Sequence, residues 1–500
     1  MLRGPAVARD IIRALMRRLL MLGSLILLSG ASLPAAGRDP ARSVVRIVNH
    51  YQRADWATPW GSARPGESSG SGFVIEGGRV MTNAHVVSDS RLLLLYVAGD
   101  PRPHEAQVMQ VGHDCDLALI RPLEPDVLKG VPALPFGGLP GLGSSVDTLG
   151  FPAGGVRVSS TRGVVSRIEG QLYVHSGVDS HLAVQTDAAI NPGSSGGPVV
   201  QSGRVVGVAF QNNPSLENVG FFIPMEVISR FLQDAGDGRY DGYPDLGAET
   251  GNMENPSARA LAGMREGESG ARVTRIDPGA SADGILEKGD VILAVNGRPV
   301  ANDGSVEDDG DRIPFGYLID RLFIGDTVTL DLLRRGERKR LPVPLREHPL
   351  SRSRRHVYDE QPRYFVYAGL VFVPLSPGTM QTYGSDWARV APRTLLDEYF
   401  FRVLARAGPR PGERVVLLRR LDDAVNIEMA WFLDQVVERV NGRAIDGLAS
   451  LIEAFEQNRE DHHVIEFAHA GRFTVLDRRR ADAANGGILQ RYGIHKDRRP

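Results

Sequence analysis

Short runs of β-branched and aliphatic residues alternate with glycine-rich turns from about residue 43 to residue 223. No stretch in this part has the period of a long helix, so the pattern predicts many short strands. The predicted strands cover residues 44–48, 72–75, 91–97, 117–120, 145–149, 163–168, 182–185, 199–200, 205–210 and 220–223. Many short strands separated by glycine-rich turns are typical of β-barrels or of a β-sandwich.

A helical pattern follows these strands. Residues 224–232 place four apolar side chains on one helical face, namely Val227, Ile228, Phe231 and Leu232. The next stretch, 234–245, is rich in glycine and aspartate, which is typical of a domain boundary. The pattern therefore predicts a first, β-rich domain over residues 37–240.

Two later segments repeat one order of elements. In each, a strand runs into an Asn-Gly dipeptide, at 289–297 and again at 435–442, and a helix follows, at 313–322 and at 448–455. Asn-Gly supplies the positive φ angles that a tight hairpin needs. The repeat predicts a tandem pair of related α+β domains. We expect these domains at 248–347 and 364–485, with a polar, basic linker at 348–363 and a tail at 486–500.

Length and composition limit the possibilities further. The 500 residues exceed what one hydrophobic core supports, so several domains are expected. With 58 Lys plus Arg against 60 Asp plus Glu, the formal net charge is -2, which does not indicate a nucleic-acid partner. The single cysteine, Cys115, cannot form an intramolecular disulfide and is expected to be a small buried hydrophobe.

The first 36 residues have the composition of a targeting segment. Arginines precede an apolar run at 19–28, and small residues follow the run up to Ala36. This order is typical of a secretory signal, so we expect export to a periplasm or a comparable compartment. The apolar run is shorter than the roughly 20 residues that cross a bilayer as a helix. An uncleaved anchor is the alternative, and Met16 is an alternative start.

Two short motifs contain residue types that serve in acid–base catalysis. His85 lies in Thr-Asn-Ala-His-Val-Val at 82–87, where aliphatic neighbours would hold the imidazole rigidly as a general base. Asp116 opens an apolar strand, where a buried carboxylate would fix the tautomer of an imidazole beside it. Asp114 is the competing candidate. Taken alone, each motif fits a structural histidine or a turn aspartate equally well.

A third motif, Asn-Pro-Gly-Ser-Ser-Gly-Gly-Pro at 191–198, contains a candidate nucleophile. Glycines before and after Ser195 allow a tight turn in which the N–H groups of Gly193 and Ser195 converge on one point. A flexible Gly-Ser turn without a catalytic role would have a similar sequence. The ordered segments on both sides, and the chain order His, Asp, Ser, favour a nucleophile.

These motifs together resemble the three catalytic blocks of the HtrA/Deg family of chymotrypsin-like serine endopeptidases. The resemblance rests on residues 82–87, on Asp-Leu-Ala-Leu at 116–119 and on 185–198, and it extends to the tandem domains, which look like PDZ modules. Stretches at 301–304, 364–372 and 424–427 are most similar to plant-type Deg proteases with a divergent second PDZ domain. Ser194 departs from the family, which usually has asparagine there, and is a second candidate nucleophile.

The resemblance implies a mainly β fold, in which a chymotrypsin-like double β-barrel precedes two PDZ-like α+β domains. It also implies an ATP-independent endopeptidase that degrades misfolded exported proteins, with Ser195 as nucleophile, His85 as base and Asp116 as the orienting residue. The N–H groups of the oxyanion hole would come from Gly193, Ser194 and Ser195. A non-catalytic chaperone or peptide-binding scaffold, and a regulatory protease of one envelope substrate, are the alternatives.

The resemblance also implies a pocket for the substrate side chain. Its residues would be Ala189, Ile190, Gly207, Val208, Ala209 and Phe210. Because none of them is acidic, we expect cleavage after small or medium aliphatic residues rather than after Lys or Arg.

Partners follow from the same resemblance. A PDZ domain binds an extended chain end at a glycine-containing loop. The matching loop of the first module consists of Leu261, Ala262, Gly263 and Met264. The candidate in the second module, 367–370, fits an ordinary strand start equally well. The family also suggests assembly from trimers, with Tyr51, Trp56 and Trp60 either at an interface or covering the barrel.

No metal and no cofactor are expected. The acidic stretch 303–311 lacks the ligand spacing of a calcium-binding loop. The pair His462-His463 has no further ligand nearby in the sequence. Both are expected to be solvated surface.

Overall fold

The computed structural model describes residues 39–500 except for 213–218, 309, 350, 352–354, 385, 404–412 and 469–470. The predicted signal at 1–36 therefore lies outside the described residues. Within the described part of the chain, no helix is both long and apolar enough to span a membrane.

Two closed six-stranded β-barrels form the first part of the chain. The strands of the first are β1 (Val44–Tyr51), β2 (Gly66–Ile75), β3 (Arg79–Thr82), β4 (Ser90–Tyr96), β5 (His104–Gly112) and β6 (Leu117–Pro122). The strands of the second are β7 (Ser145–Gly150), β8 (Ser159–Leu172), β9 (Ser180–Thr186), β10 (Pro198–Gln201), β11 (Arg204–Asn212) and β12 (Gly220–Pro224). The barrel orders are β1-β2-β3-β6-β5-β4 and β10-β11-β12-β9-β8-β7. The predicted double barrel is confirmed.

Each barrel has its own apolar core, and a third cluster joins the two. The first core includes Val45, Ile47, Val80, Leu95 and Ile120; the second includes Val146, Val184, Val199 and Phe222. The joining cluster contains Phe73 and Leu117 from the first barrel and Phe210 and Ile223 from the second. Since buried apolar surface stabilises by about 25 cal/mol per Å², this shared cluster holds the barrels in a fixed relation.

Two helices flank the barrels. The single turn α1 (Ala84–Val87) follows β3, and α2 (Met225–Asp234) follows β12. Ile228 and Phe231 of α2 are fully buried in the cluster that joins the barrels. The predicted helix at 224–232 is confirmed.

The next unit is built on a second sheet. Its elements are β13 (Ala248–Gly251), α3 (Pro256–Leu261), β14 (Ala271–Ile276), β15 (Val291–Val295), β16 (Arg298–Pro299), β17 (Ser305–Asp308), β18 (Asp311–Pro314), α4 (Gly316–Asp320), β19 (Thr327–Arg334) and β20 (Glu337–Pro344). The sheet has the order β13-β14-β15-β19-β20, and β16 pairs with β15. Asn296 and Gly297 have φ values of 48° and 79°, as the predicted hairpin turn requires.

The helix predicted at 313–322 is wrong in its first part. β18 pairs with β17 as a separate two-stranded hairpin, and only Gly316–Asp320 is helical. Phe315, Leu318 and Ile319 share one helical face, but Ile313 lies off that face and pairs across the hairpin with Val306. Strand pairing therefore decides the first part of this segment, and the helical period holds only in its second part.

The last unit contains an eight-stranded sheet. Its elements are β21 (Tyr364–Tyr367), β22 (Leu370–Pro374), α5 (Pro377–Gln381), α6 (Trp387–Val390), α7 (Arg393–Asp397), β23 (Val415–Arg420), β24 (Gln435–Val440), β25 (Arg443–Ala444), α8 (Leu448–Glu456), β26 (His462–Phe467), β27 (Phe473–Asp477), α9 (Arg478–Arg491) and β28 (Arg498–Arg499). The order is β27-β26-β24-β23-β22-β21-β28. The predicted second Asn-Gly turn and the helix after it are both present, the latter as α8.

Residues 486–500 do not form the predicted tail. Helix α9 continues to Arg491, Ile488 and Ile494 are buried, and β28 pairs with β21 at the edge of the sheet. The sequence signal was weak, because only Ala481 and Ile488 of this polar helix are buried.

The N-terminal tryptophans contact the last unit of their own chain. The ring of Trp56 packs on Gly378, where a Cβ atom would lie 2.3 Å from the indole. Trp60 meets Tyr364 edge-on, with ring centroids 6.1 Å apart, and Arg499 donates a hydrogen bond of 3.1 Å to the carbonyl of Pro59. These residues tie the barrels to the last sheet within one chain, and a trimer interface stays a prediction.

Candidate active site

The His85 side chain is held by the barrel through its neighbours. In α1, Ala84, Val86 and Val87 are buried, so the helix has a fixed orientation. The His85 imidazole on the remaining face is one-third exposed, at 33% of its side chain. A fixed backbone with an accessible ring is what a general base requires.

Asp116 binds His85 at two points. His85 Nδ1 lies 2.7 Å from Asp116 Oδ2, and the His85 backbone N–H donates to Oδ1 at 2.9 Å. The amide of Asn83 donates to the Asp116 carbonyl oxygen at 2.8 Å. Asp116 has a φ of 51°, in the left-handed region that costs non-glycine residues energy. These bonds fix the imidazole with its Nδ1–H toward the carboxylate, which leaves Nε2 as the basic nitrogen.

The electrostatic environment of the His85–Asp116 pair favours an ionised Asp116 carboxylate beside a protonated His85 ring. Burial lowers the pKa of His85, but the charge and the hydrogen bond of Asp116 outweigh burial and raise that pKa above 6.5. Burial raises the pKa of Asp116, but the charges of His85 and His175 and the bonds from His85 keep it below 3.8. Asp116 is therefore ionised at neutral pH and stabilises an imidazolium.

Asp114, the competing aspartate, has other partners. Its carboxylate accepts hydrogen bonds from the Tyr240 hydroxyl at 2.6 Å, from Cys115 N–H at 2.9 Å and from Tyr243 N–H at 3.3 Å. Cys115 between the two aspartates is fully buried as expected, and burial raises the pKa of its thiol. Asp114 thus anchors the segment after α2, and Asp116 is the aspartate that meets His85.

The serine turn packs against the strand that leads to His85. Ser71 N–H donates to the Ser195 carbonyl at 2.8 Å, and Ser195 Oγ donates to the Phe210 carbonyl at 3.3 Å. Gly196 has a φ of 82°, and a Cβ atom there would lie 2.1 Å from the Ser71 carbonyl oxygen. That position is also 3.2 Å from the backbone nitrogen of Asn83, two residues before His85. Only glycine permits this close approach.

The turn also fixes the predicted oxyanion donors. Ala153 N–H donates to the Pro192 carbonyl at 2.7 Å, which orients the Gly193 N–H in the opposite direction because the peptide is trans. Ser71 Oγ donates to the Gly193 carbonyl at 2.7 Å. Ser194 N–H instead donates to Asn191 within the turn, at 2.8 Å. Three N–H groups were predicted as oxyanion donors. Because this bond occupies the Ser194 N–H, those of Gly193 and Ser195 remain as candidates.

The predicted substrate pocket is only partly open. Ala189 is exposed, whereas Ile190 is buried in the core of the second barrel. Val208 and Ala209 are fully buried, and the Phe210 ring is 4% exposed. At Gly207 a Cβ atom would lie 2.2 Å from the Phe222 ring. These side chains belong mainly to the barrel cores, and their role in substrate recognition stays a prediction.

The predicted peptide-binding loop of the first C-terminal unit ends helix α3. The N–H groups of Ala262, Gly263 and Met264 donate to the carbonyls of Ala258, Ala260 and Arg259 in turn. A surface groove of about 440 Å³ adjoins the loop, and Arg272 and Lys288 are among its lining residues. In this conformation the loop amides are occupied. The groove beside them also contains Glu287 and Asp290, which pair with Arg334 and Arg335, so Arg272 and Lys288 give it an excess of positive charge.

The acidic stretch at 303–311 and the pair His462-His463 were both predicted to be solvated surface, and the structure places them in different environments. In the acidic stretch, Asp308 binds Arg298 and Arg321, and Asp303 binds Arg312, so arginines neutralise these two carboxylates. His463 is buried, contrary to the expectation of solvated surface, and burial lowers its pKa to about 4. No group of three or more potential metal ligands occurs among the described residues.

Sequence reasoning missed an aromatic cluster beside the His85–Asp116 pair. The His175 ring centroid is 6.1 Å from that of His85, and His175 is followed by His113 at 5.1 Å. Tyr358 stacks on His175 at 4.1 Å. These residues come from distant parts of the chain and share no motif, so no local signal would have found them.

The raised pKa of His85 predicts the pH dependence of turnover. An imidazolium cannot accept a proton, so kcat/KM should be low in acid and rise with pH through an inflection above 6.5. The measurement is a pH profile of kcat/KM on a short peptide. An NMR titration of the His85 ring in Ser195→Ala assigns the inflection to this residue. An inflection at or below pH 6.5 would contradict the described His85–Asp116 contact.

Comparisons with protein families agree with the fold. A model described as a trypsin-like peptidase domain matches residues 70–208. Two models described as PDZ domains match residues 244–345 and 353–500.

Curated relatives cover most of the chain. It is 36% identical over 474 residues to Protease Do-like 2, chloroplastic, of Arabidopsis thaliana, which covers 92% of this chain and 76% of the relative. It is 34% identical over 462 residues to Protease Do-like 4, mitochondrial, of the same organism, covering 89% and 84%. Among solved structures, a variant of the HtrA-type protease AlgW with a decapeptide has a TM-score of 0.50 and 23% identity, covering 62% and 95%. That likeness supports the fold alone.

Proposed function

Because the chain belongs to the Do-like, or HtrA/Deg, family of serine endopeptidases, we propose that Ser195, His85 and Asp116 form its catalytic triad. The observation that carries this proposal is the double contact of Asp116 with His85, through Nδ1 at 2.7 Å and the backbone N–H at 2.9 Å. A histidine with a neutral, outward Nε2 and a buried carboxylate behind it is the arrangement that activates a serine.

The reaction starts from the hydroxyl of Ser195. His85 Nε2 takes its proton while Oγ forms a bond to the peptide carbonyl carbon, and the carbonyl oxygen becomes an oxyanion. The N–H groups of Gly193 and Ser195 stabilise that charge, each typically contributing about a hundredfold to a thousandfold in rate. His85 then protonates the leaving amine, the C–N bond breaks and an acyl-enzyme remains. Water then loses a proton to His85 and forms a bond to the acyl carbon, the C–Oγ ester bond breaks, and His85 returns the proton to Ser195 Oγ as the acid leaves.

The nucleophile position requires a rotation of one side chain. In this structure Ser195 Oγ bonds to the Phe210 carbonyl at 3.3 Å. Rotation about Cα–Cβ between staggered wells is rapid and carries Oγ toward the base. Catalytic hydrogen bonds often tighten only when substrate is bound, so the described rotamer is consistent with an active site at rest.

We infer that the C-terminal PDZ domains recognise substrate chain ends. The groove beside Gly263 has Arg272 and Lys288 on its walls, and their positive charges would attract a terminal carboxylate. Solved HtrA-type neighbours are described with peptides. In the first PDZ domain the loop amides would have to exchange the bonds of α3 for the carboxylate.

Export and assembly are part of the same proposal. The arginine-rich and apolar order of residues 1–36 supports a secretory signal. The Arabidopsis relatives are named chloroplastic and mitochondrial, so the compartment of this chain is a property to be measured. A trimer-based homo-oligomer is proposed from the family alone.

The proposed substrates are unfolded polypeptides cut after aliphatic residues. We expect the full chain, without ATP, to degrade a reduced and alkylated protein and to spare the native form of the same protein. Mass spectrometry of the products should place small or medium aliphatic residues before the cut bonds. Cleavage after Lys or Arg would refute the pocket, and binding of the unfolded protein without any cleavage would favour the scaffold function.

A further inference from the structure

A short segment at the start of the region that matches the second PDZ model lies across the two barrels. We call Arg355–Asp359 the strap. It contacts three segments of the barrels: the loop between β8 and β9, the turn between β5 and β6, and Asp89 in the segment after α1. Two of these three adjoin a proposed catalytic residue, because α1 contains His85 and the turn before β6 contains Asp116.

The first contact fixes the strap to the loop between β8 and β9. The Arg355 guanidinium binds Asp179 through two hydrogen bonds, of 2.7 and 2.8 Å. His356 N–H donates to the Ser176 carbonyl at 3.0 Å, and the Tyr358 hydroxyl donates to the His175 carbonyl at 2.9 Å. A bidentate arginine with two backbone bonds sets the position of the strap with little freedom.

The second contact is a stack of rings. Tyr358 lies on His175 at a centroid distance of 4.1 Å and an interplanar angle of 18°, and on His113 at 5.2 Å and 26°. His113 Nδ1 is 2.9 Å from His175 Nε2, so the two imidazoles share a hydrogen bond. Burial lowers the pKa of His175 to about 3, so this ring is neutral at physiological pH.

The third contact brings a carboxylate of the strap to the same stack. Asp359 Oδ2 is 3.1 Å from His113 Nε2. Asp359 and Asp89 also exchange hydrogen bonds, since the backbone N–H of each donates to the carboxylate of the other. Asp89 lies two residues beyond the end of α1, and His113 lies three residues before Asp116. The strap therefore ties together the two segments that contain the base and its carboxylate.

The His175 ring lies between Tyr358 of the strap and His85. Its ring centroid is 6.1 Å from that of His85. Because the His175 ring is neutral at physiological pH, it acts on the His85–Asp116 pair through its position rather than through a charge. Any shift of His175 or of the turn at His113 would reach His85 and Asp116 directly.

We propose that Tyr358 and Asp359 of the strap are positioning residues for the His85–Asp116 pair, acting through the stacked rings of His175 and His113. The inference rests on the proposed triad. Neither strap residue is among those predicted to bind substrate, so their effect should fall on kcat rather than on KM. A misplacement of about 1 Å at a reacting group costs on the order of a hundredfold in rate.

The test compares Tyr358→Ala with Tyr358→Phe in the full chain, using a short peptide substrate. Tyr358→Ala removes the stack and should lower kcat about tenfold to a hundredfold, with KM changed less than about threefold. Tyr358→Phe keeps the stacked ring, loses only the bond to the His175 carbonyl and should restore most of kcat. The matched control is Tyr383→Ala, another half-buried tyrosine with a hydroxyl bond, here to Asp434 in the last unit. It should leave kcat near the wild-type value.

Folding is separated from positioning by a second variant and by melting curves. Asp359→Asn keeps the shape of the side chain but removes the charge beside His113, and it should lower kcat while the melting temperature stays within a few degrees. Wild-type kcat in both Tyr358→Ala and Asp359→Asn would overturn the inference. So would a loss in Tyr358→Ala that the phenylalanine variant fails to restore. Cleavage by Ser195→Ala would instead refute the proposed triad.

Discussion

Replacing Ser195 with alanine should lower turnover by roughly four to six orders of magnitude. The hydroxyl is the only group that the proposed mechanism joins covalently to the substrate, and alanine has no group that can form this bond. The measurement is degradation of an unfolded protein, combined with labelling by an active-serine probe. Labelling should disappear, while the melting temperature should change little because the one hydrogen bond of the Ser195 side chain among the described residues is long, at 3.3 Å to the Phe210 carbonyl.

The matched control for this prediction is Ser194→Ala. Ser194 differs from the usual asparagine of the family, but its backbone N–H donates within the turn whatever the side chain is. It backs against Gly150, where a Cβ atom would lie 2.9 Å from the Ser194 Cα. We expect turnover within about tenfold of wild type and intact labelling. If the labelling followed Ser194 instead, the assignment of the nucleophile would be wrong.

Replacing Asp116 with asparagine should lower kcat by about four orders of magnitude. The amide has nearly the shape of the carboxylate, so the hydrogen bond from the His85 backbone can remain, whereas the charge is lost. Without that charge the imidazolium formed during reaction is unstabilised, and an amide N–H facing Nδ1 favours the wrong tautomer of His85. Steady-state kinetics with a short peptide, at the pH of maximal wild-type activity, measures the effect.

Asp114→Asn provides the contrast within the same segment. Asp114 holds Tyr240 and the segment after α2, so its loss should appear as reduced stability, about 1–3 kcal/mol for a disturbed buried network. Because Asp114 also lies 3.7 Å from Arg355 of the strap, turnover of the folded variant should fall by up to about tenfold, far less than in Asp116→Asn. Equal kinetic losses at Asp114 and Asp116 would contradict the distinction that the hydrogen bonds draw between them.

Most of the barrel strands were predictable because their buried residues form short apolar runs in the sequence. The runs at 44–48, 145–149 and 205–210 contain β-branched or aliphatic residues that are buried in the structure. β5 (His104–Gly112) escaped prediction because most of its side chains are not buried, so its sequence has no apolar run. Pairing with β4 and β6 on both sides, rather than its own composition, makes it a strand.

The failures share one cause. The helix predicted at 313–322, the tail predicted at 486–500 and the solvated His463 were all assigned from local pattern. In each case the outcome depends on a partner that the local pattern does not show: Val306 of the preceding strand for Ile313, and the distant residues Tyr364 for Arg499 and Tyr367 for His463. Local pattern contains no information about such partners.

The chain order of His85, Asp116 and Ser195 in their motifs was enough to identify the type of enzyme, because each residue stands in a short segment whose neighbours create its local environment. The glycines around Ser195 permit one tight turn, and the aliphatic residues beside His85 hold one backbone. These are local requirements, and the sequence alone determines them.

Only the tertiary structure decided which groups surround the His85–Asp116 pair. Closure of two barrels on a shared core brings Asp116 rather than Asp114 to His85, and the return of the chain after the first PDZ domain brings Tyr358 onto His175. Residues 85, 175 and 358 meet through long-range packing and hydrogen bonds, for which neighbouring residues in the chain give no signal. The proposed triad could therefore be predicted from the sequence, whereas the strap beside it could be identified only from the tertiary structure.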